Sequence, residues 1–181
     1  MEEWLNSKGE SILRGYGIKS GHNLLDFGCG SGVYSVIASK IVGDEGKIYA
    51  LDYDEHVLKE LSNKIKNQNI KNIEIIKTSK EISIPLKNNY IDIVLMYDVY
   101  HLLDKSDRIK LLNEIYRILK ADSGFLSYYA THIGSYGIQL KKVQDLIEKT
   151  GFKLIKQSKH PMFHWSWIEE GTVLSYKKIE K

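Results

Sequence analysis

Cysteine is almost absent from this chain of 181 residues, which contains Cys29 alone. A single cysteine cannot form an intrachain disulfide, and such usage favours a reducing compartment, so we expect a cytoplasmic protein. An excess of charge of one sign is also lacking, because 26 basic residues are balanced by 23 acidic residues. The net charge of +3 is too small to indicate nucleic acid as a partner.

Long apolar runs are missing as well. No run approaches the roughly 20 residues that a membrane-spanning helix needs, so we expect no membrane association. Glu2 and Glu3 do not fit the start of a secretory signal. The hydrophobic fraction of 43% and the charged fraction of 27% are ordinary for a folded domain. The length suits one domain with a full core.

The most informative stretch is LLDFGCGSG, which runs from Leu24 to Gly32. A short apolar run ends near an acid, three glycines follow at alternate positions, and an amphipathic segment begins at Ser31. This pattern predicts a buried strand, a tight turn and a helix. Glycine has no Cβ, so the turn can adopt positive φ and a ligand can lie against its backbone. The first turn of the helix offers unpaired N–H groups.

Two features that are missing from this glycine-rich loop narrow the class of ligand that it can bind. A phosphate-binding Walker loop would place lysine after Gly32, and none is present. A dinucleotide loop would place its third glycine one residue later, where this chain has Val33. The spacing therefore argues against a nicotinamide oxidoreductase.

Gly-x-Gly-x-Gly after an acid at a strand end resembles the class I S-adenosylmethionine-dependent methyltransferases, in particular the small UbiE/type 11-like methyltransferase domain. The resemblance extends over 23–177, because strand and helix patterns alternate as in that family. It implies an α/β fold: a Rossmann-like three-layer sandwich whose seven-stranded sheet is mostly parallel with an antiparallel last strand. One domain would occupy 1–181, with 1–20 as an N-terminal lid or helical segment. A glycine-rich turn without a ligand is the alternative for the loop alone.

The resemblance also implies the cofactor S-adenosyl-L-methionine and its product S-adenosyl-L-homocysteine. Asp26 would orient the loop or reach the cofactor's amino group, and Asp52, at the end of the second predicted strand, would accept the ribose hydroxyls. Tyr53 would stack on the adenine and Tyr97 would lie near the sulfonium, whereas no residue is assigned to the adenine amino group. The predicted cofactor-binding residues are Asp26, Gly28, Cys29, Gly30, Gly32, Asp52, Tyr53, Ser79 and Tyr97. Cys29 is interpreted as a small side chain that fits, not as a nucleophile.

Candidate catalytic residues lie at the C-terminal end of the fourth predicted strand, Tyr90–Asp98, and directly after it. Asp98 and His101 are candidates for a general base or a substrate anchor. The alternative is that Asp98 accepts backbone hydrogen bonds and His101 packs beneath it. His160 and His164 are four residues apart, which suits a metal only on a helix, and no third ligand is evident. We therefore expect no metal. The aromatic residues of 159–167 are expected to form a loop between two late strands.

The predicted function is in-line transfer of the cofactor's methyl group to a small-molecule acceptor. An Asn/Asp-Pro-Pro-Tyr motif, typical of relatives that methylate nucleobase amino groups, is missing after the fourth predicted strand. Two alternatives stay open: a non-catalytic module that binds S-adenosylmethionine or S-adenosylhomocysteine, and a methyltransferase that acts on a protein or tRNA. We expect a monomer or homodimer.

Overall fold

The structure is a computed structural model, which describes residues 3–136 and 138–179. Glu2, used above to argue against a secretory signal, lies outside this range. The chain divides into two compact units, 1–80 and 81–181. The prediction of a single domain over 1–181 stays a prediction. Among the described residues, no helix has both the length and the apolar character needed to cross a bilayer.

The first unit contains three parallel strands, in the order β3-β2-β1. A short π-helical turn at Trp4–Lys8 precedes the regular elements. Trp4 is only 3% exposed, and its ring packs edge-on against Tyr34, so the N-terminal segment is part of the core of this unit. The elements are α1 (Gly9–Gly15), β1 (Asn23–Phe27), α2 (Val33–Val42), β2 (Lys47–Asp52), α3 (Glu55–Asn67) and β3 (Ile73–Lys77).

The second unit contains four strands, in the order β4-β5-β7-β6. Strand β5 runs parallel to β4, whereas β7 runs antiparallel to both β5 and β6. A 3-10 turn at Tyr100–Leu102 follows β4. The elements are β4 (Ile93–Tyr97), α4 (Lys105–Ile118), β5 (Phe125–Ala130), α5 (Leu140–Lys149), β6 (Phe152–His164) and β7 (Trp167–Lys178).

The predicted fold class is confirmed. The described residues form seven strands; those of the first unit are all parallel, and in the second unit only the last strand, β7, runs antiparallel to its neighbours. The sequence accounts for the buried strands: β4 is IVLMY, fully buried as expected for a parallel strand covered on both faces. Asp54 caps α3 by accepting a hydrogen bond from the His56 amide, as its position ahead of an amphipathic run predicts.

One segment differs from the sequence interpretation. The aromatic residues of 159–167 were expected to form a loop between two late strands. Instead, β6 continues to His164 and β7 begins at Trp167, so that only Trp165 and Ser166 make the turn of a long hairpin. Trp165 adopts φ +53°, which a tight hairpin turn requires. The middle of β6, from Lys156 to Pro161, is a polar run that ends in proline, so the sequence there lacks the alternation of apolar and polar residues that indicates a strand.

Candidate cofactor site

The loop from Gly28 to Gly32 is held against the end of β2. The Leu51 carbonyl accepts hydrogen bonds from the Gly28 amide at 2.8 Å and the Cys29 amide at 3.0 Å. Gly28, Gly30 and Gly32 have φ values of +71°, +53° and +77°, the left-handed region that glycine adopts without strain. The alternate glycines are therefore required by the path of the backbone.

Gly30 and Gly32 differ in what surrounds them. A Cβ on Gly32 would overlap the Leu61 side chain of α3, so this glycine permits close packing between the loop and that helix. A Cβ on Gly30 would meet no atom within 4 Å among the described residues. Gly30 thus borders open space, and its small size leaves the loop backbone accessible to a ligand.

Asp52 is bound to the same loop through its carboxylate. One carboxylate oxygen accepts the Gly30 amide at 2.9 Å, and the other accepts the Asp54 amide at 3.0 Å. Each carboxylate oxygen has two lone pairs, so the pair of bonds leaves capacity for further donors. The predicted ribose acid therefore lies against the loop at Gly30, where two hydroxyl donors of a ligand could reach it.

Asp26 lies beneath the loop and is 2% exposed. Its Oδ2 accepts a hydrogen bond of 2.6 Å from the hydroxyl of Ser35 in α2. Burial raises the pKa of the Asp26 carboxyl to about 6, against the lowering effect of the Ser35 bond, and nearby Asp52 raises it further. The bond to Ser35 joins the end of β1 to α2, which is consistent with the predicted role of orienting the loop.

The raised pKa of Asp26 predicts a pH-dependent stability. Between about pH 4 and pH 6 the folded carboxyl binds a proton that the unfolded carboxyl has released, so stability falls as pH rises through this window. The loss amounts to about 2 to 3 kcal/mol, at about 1.4 kcal/mol per pKa unit. Asp26→Asn should remove this slope in urea unfolding measured from pH 4 to 7. Asp44→Asn, at an exposed acid, should retain it, and equal slopes in both variants would contradict the assignment.

Cys29 faces away from the loop surface, into the core. Its side chain packs in a buried cluster with Ala50, Leu58 and Leu61. Burial raises the pKa of the Cys29 thiol far above its ordinary value, and the carboxylates of Asp26 and Asp52 raise it further. A thiol in this state is a poor nucleophile, in agreement with its interpretation as a small packing residue.

Lys64 is a loop contact that sequence reasoning missed. Its ammonium donates to the Ser31 carbonyl at 2.8 Å and to the Ser31 hydroxyl at 3.1 Å. Burial lowers the pKa of Lys64, against the opposing effect of Glu60. The two residues are 33 apart in sequence, and only the packing of α3 against the loop brings them together. An amphipathic helix pattern gives no sign of such a contact.

Lys64→Met should therefore remove the hydrogen bonds to the loop without creating a cavity in the core. We expect the free energy of unfolding to fall by about 1 kcal/mol, as for loss of a partly buried hydrogen-bond donor. Affinity for S-adenosylmethionine should fall several-fold in the same variant, as judged by calorimetry. Lys59→Met removes an exposed lysine of the same helix and should change neither quantity.

Tyr53 and Ser79 lie at the surface of the first unit. Tyr53 is 52% exposed, and the Lys80 ammonium lies 5.6 Å from the centre of its ring. Ser79 is exposed, two residues beyond the end of β3. An exposed ring directly after Asp52 is available to stack on a planar ligand, so the adenine role of Tyr53 stays a prediction, as does the role of Ser79.

The second unit carries the other predicted residues. Tyr97 is 4% exposed; its hydroxyl is 2.7 Å from the Ser127 hydroxyl, and its ring packs edge-on against Tyr129. Tyr97 is thus a core residue in this unit, and its proximity to the sulfonium stays a prediction. Asp98 follows it with φ +54° and lies 3.7 Å from Nδ1 of His101.

The structure adds two histidines to the predicted pair. Asp98 Oδ1 lies 3.4 Å from His132 Nε2, and Asp98 Oδ2 lies 3.1 Å from His164 Nε2. His164 Nδ1 in turn lies 2.8 Å from Glu169 Oε1. From the sequence, His164 is considered together with His160, and no metal is expected there. These two are on the extended strand β6, where four residues span about 13 Å, so they do not converge.

Burial and hydrogen bonding set the charge around this cluster. Burial lowers the pKa of His101, as does its neighbour His132, although Asp98 opposes both effects. Burial alone would raise the pKa of Glu169, but hydrogen bonds from Trp167 and Tyr129 and the nearby His164 lower it. The carboxylate of Glu169 is thereby kept ionised beside His164.

Comparison with known proteins places this geometry in a family. A family model described as a methyltransferase domain matches residues 18–172. A demethylmenaquinone methyltransferase from Lactococcus lactis is 26% identical over 164 residues, which cover 87% of this chain and 61% of that protein. The corresponding protein from Listeria welshimeri is 31% identical over 103 residues, 57% of this chain and 42% of its own. The chain thus spans about two fifths to three fifths of these curated relatives.

Solved structures agree with the sequence match. An S-adenosylmethionine-dependent methyltransferase from Aquifex aeolicus has a TM-score of 0.79 at 25% identity, covering 96% of this chain and 91% of its own. The [4+2]-cyclase SpnF has a TM-score of 0.76 at 11% identity, covering 95% and 81%, and shows similarity of fold alone. With a family model that matches most of its length, the chain belongs to the methyltransferase-domain family, in which the cofactor is S-adenosylmethionine.

Proposed function

We propose that this protein transfers the methyl group of S-adenosylmethionine to a small-molecule acceptor. The observation that carries the proposal is the open backbone at Gly30 beside the carboxylate of Asp52. A glycine-rich loop bordered by an acid suits a nucleoside that bears an amino acid: the loop accommodates the amino-acid part and the acid accepts the ribose hydroxyls. A loop lacking the lysine of phosphate-binding loops suits a ligand without phosphate groups.

In this reaction the main task of the protein is to position the acceptor next to the methyl group. The sulfonium makes the methyl carbon electrophilic, so the acceptor must be held about 3 Å from that carbon, in line with the departing sulfur. As the bond from acceptor to carbon forms, the carbon–sulfur bond breaks and its electron pair stays on sulfur, which yields S-adenosylhomocysteine. A protonated acceptor must also lose a proton. Asp98 and His101 remain the predicted groups for that step.

The surface around Asp98 favours an acceptor with a flat apolar ring. Tyr136 is 65% exposed, Trp165 is 60% exposed and Trp167 is 44% exposed, although side chains of this size are usually buried. The ring centres of Trp165 and Trp167 are 5.5 Å apart, and Trp165 lies 5.8 Å from His132. Exposed aromatic rings in contact with polar groups are typical of ligand sites. The curated relatives are named for demethylmenaquinone, which is consistent with this class of acceptor.

Turnover provides the test. The protein is incubated with S-adenosylmethionine and a panel of hydroxylated quinols, phenols, thiols and amines, and S-adenosylhomocysteine is measured together with the methylated product. We expect product from at least one hydroxylated ring compound, and a markedly lower rate with Asp52→Ala when the cofactor concentration lies below the wild-type Kd. Cofactor binding without turnover on any small molecule, but with methylation of a protein or tRNA fraction, would contradict the proposal. Binding with no methylation at all would favour a non-catalytic module.

A further inference from the structure

We propose that Asp98, His101 and His132 form a binding site for a divalent first-row transition metal ion such as Zn²⁺. Asp98 and His132 follow the adjacent parallel strands β4 and β5, and His101 lies in the 3-10 turn after β4. One ligand atom from each of the three residues lies within 4.8 Å of the other two. Two imidazoles and one carboxylate are a known ligand set for such ions.

The distances fit a shared ion. Bonds of about 2.0 to 2.1 Å at tetrahedral angles separate two ligand atoms by about 3.3 to 3.4 Å. Asp98 Oδ1 lies 3.4 Å from His132 Nε2 and 3.7 Å from His101 Nδ1. Both separations are too long for good hydrogen bonds; the first equals the edge of a coordination tetrahedron, and the second exceeds it by about 0.3 Å.

The same three atoms are buried without hydrogen-bond partners. Asp98 Oδ1, His101 Nδ1 and His132 Nε2 are each fully shielded, and none has such a partner among the described residues. Buried polar atoms are almost always paired, because leaving one unpaired costs about 1 to 3 kcal/mol. Three such atoms directed at one another indicate a missing common partner, and a cation satisfies all three at once.

An ion pair between Asp98 and protonated histidines explains the cluster less well. The rings of His101 and His132 have their centres 4.0 Å apart, so two imidazolium charges would repel each other. A neutral nitrogen without its proton repels a carboxylate oxygen unless a cation lies between them.

Residues around the three ligands orient them as metal sites require. His164 Nε2 lies 3.1 Å from the second oxygen of Asp98 and is likewise buried without a hydrogen-bond partner among the described residues. Glu169 contacts the other nitrogen of His164 at 2.8 Å and also accepts the Tyr129 hydroxyl at 2.9 Å. Such outer partners fix ligand geometry and raise metal affinity.

The backbone supports the same assignment. Asp98 and His132 have φ values of +54° and +56°, where a non-glycine residue is strained. Strain of this kind persists where the surrounding structure over-determines a functional geometry. With three protein ligands, the fourth tetrahedral position stays open for water or an acceptor oxygen, as in catalytic metal sites.

Metal titration tests the site without any methylation assay. Protein treated with chelator and dialysed is titrated with Zn²⁺ by calorimetry, and with Co²⁺ by the visible absorption of its d–d bands. We expect one equivalent bound, with no detectable binding to His132→Ala or Asp98→Asn. His164→Gln, which alters an outer partner, should weaken binding about tenfold to 100-fold. His160→Ala, a matched histidine of the same strand, should bind as the wild type does.

Thermal unfolding distinguishes a variant that has lost the metal site from one that has lost its fold. Zn²⁺ should raise the midpoint of the wild type and of His160→Ala, but not that of a folded His132→Ala protein. Absence of binding to the wild type, or equal binding to the wild type and His132→Ala, would overturn the proposal. Calorimetry of the metal-free protein with S-adenosylmethionine is carried out in parallel, so that failure of the metal site and failure of the proposed cofactor site give separate results.

Discussion

Replacing Gly32 by alanine is expected to lower the free energy of unfolding by about 2 to 4 kcal/mol. The left-handed φ of +77° contributes about 1 kcal/mol of strain, and overlap of the new Cβ with Leu61 contributes about 1 to 3 kcal/mol. Urea denaturation measures this change. Because the buried Leu61 side chain must shift to accommodate the methyl group, the loop loses its close packing against α3 and affinity for S-adenosylmethionine should fall with stability.

Gly30→Ala distinguishes the effect of backbone strain on stability from the effect of a lost ligand contact on cofactor affinity. Gly30 has a φ of +53° but no atom within 4 Å of a new Cβ, so the fold should lose only about 1 kcal/mol. The methyl group would occupy the space assigned to the cofactor, and affinity should fall on the order of 30-fold or more, which corresponds to about 2 kcal/mol.

Gly21→Ala is the matched control, since Gly21 also combines positive φ with open space but lies outside the loop. It should lose similar stability and no cofactor affinity. If Gly30→Ala binds S-adenosylmethionine as well as Gly21→Ala does, the cofactor does not lie against Gly30.

Asp52→Ala is expected to weaken cofactor affinity on the order of tenfold or more, as for loss of a charged hydrogen-bond partner. The structure adds a second cause, because the substitution also frees the amides of Gly30 and Asp54. The two causes can be separated with S-adenosylhomocysteine that lacks the ribose 2′-hydroxyl. If Asp52 binds that hydroxyl, removing it should cost affinity in the wild type and cost little in Asp52→Ala.

Equal losses in both proteins would show that Asp52 acts only by holding the loop. Asp52→Asn completes the series, because its amide oxygen can still accept one backbone hydrogen bond while the charge is lost. Its affinity should lie between those of the wild type and Asp52→Ala. Unchanged affinity in Asp52→Ala itself would contradict the ribose assignment altogether.

The parts of the molecule that local sequence determines were predicted well. The glycine spacing fixes the loop because only glycine adopts positive φ at three alternate positions without strain. Likewise, Asp54 precedes an amphipathic run and caps α3. Continuous apolar strands such as β4 indicate a parallel sheet covered on both faces.

Contacts between distant parts of the chain could not be predicted in the same way. Lys64 reaches Ser31 only because α3 packs against the loop, and His132 approaches Asp98 only because β5 lies beside β4. Whether His160 and His164 lie on a helix or on a strand also depends on such distant contacts. The segment is a strand, in which residues four apart point the same way but lie far from each other.

Similarity of fold does not by itself determine the reaction. The chain shares its architecture with a methyltransferase from Aquifex aeolicus and, at lower identity, with the [4+2]-cyclase SpnF. Function therefore depends on the residues at the site. The candidate residues here are the glycine loop with Asp52 in the first unit and, in the second unit, Asp98 with its histidines.

A crystal structure of the protein with bound S-adenosylhomocysteine tests the central claim most directly. We predict that the amino-acid part lies against the backbone of Gly30 and that both ribose hydroxyls donate to the carboxylate of Asp52. A ligand bound elsewhere, or ribose hydroxyls directed away from Asp52, would contradict the account.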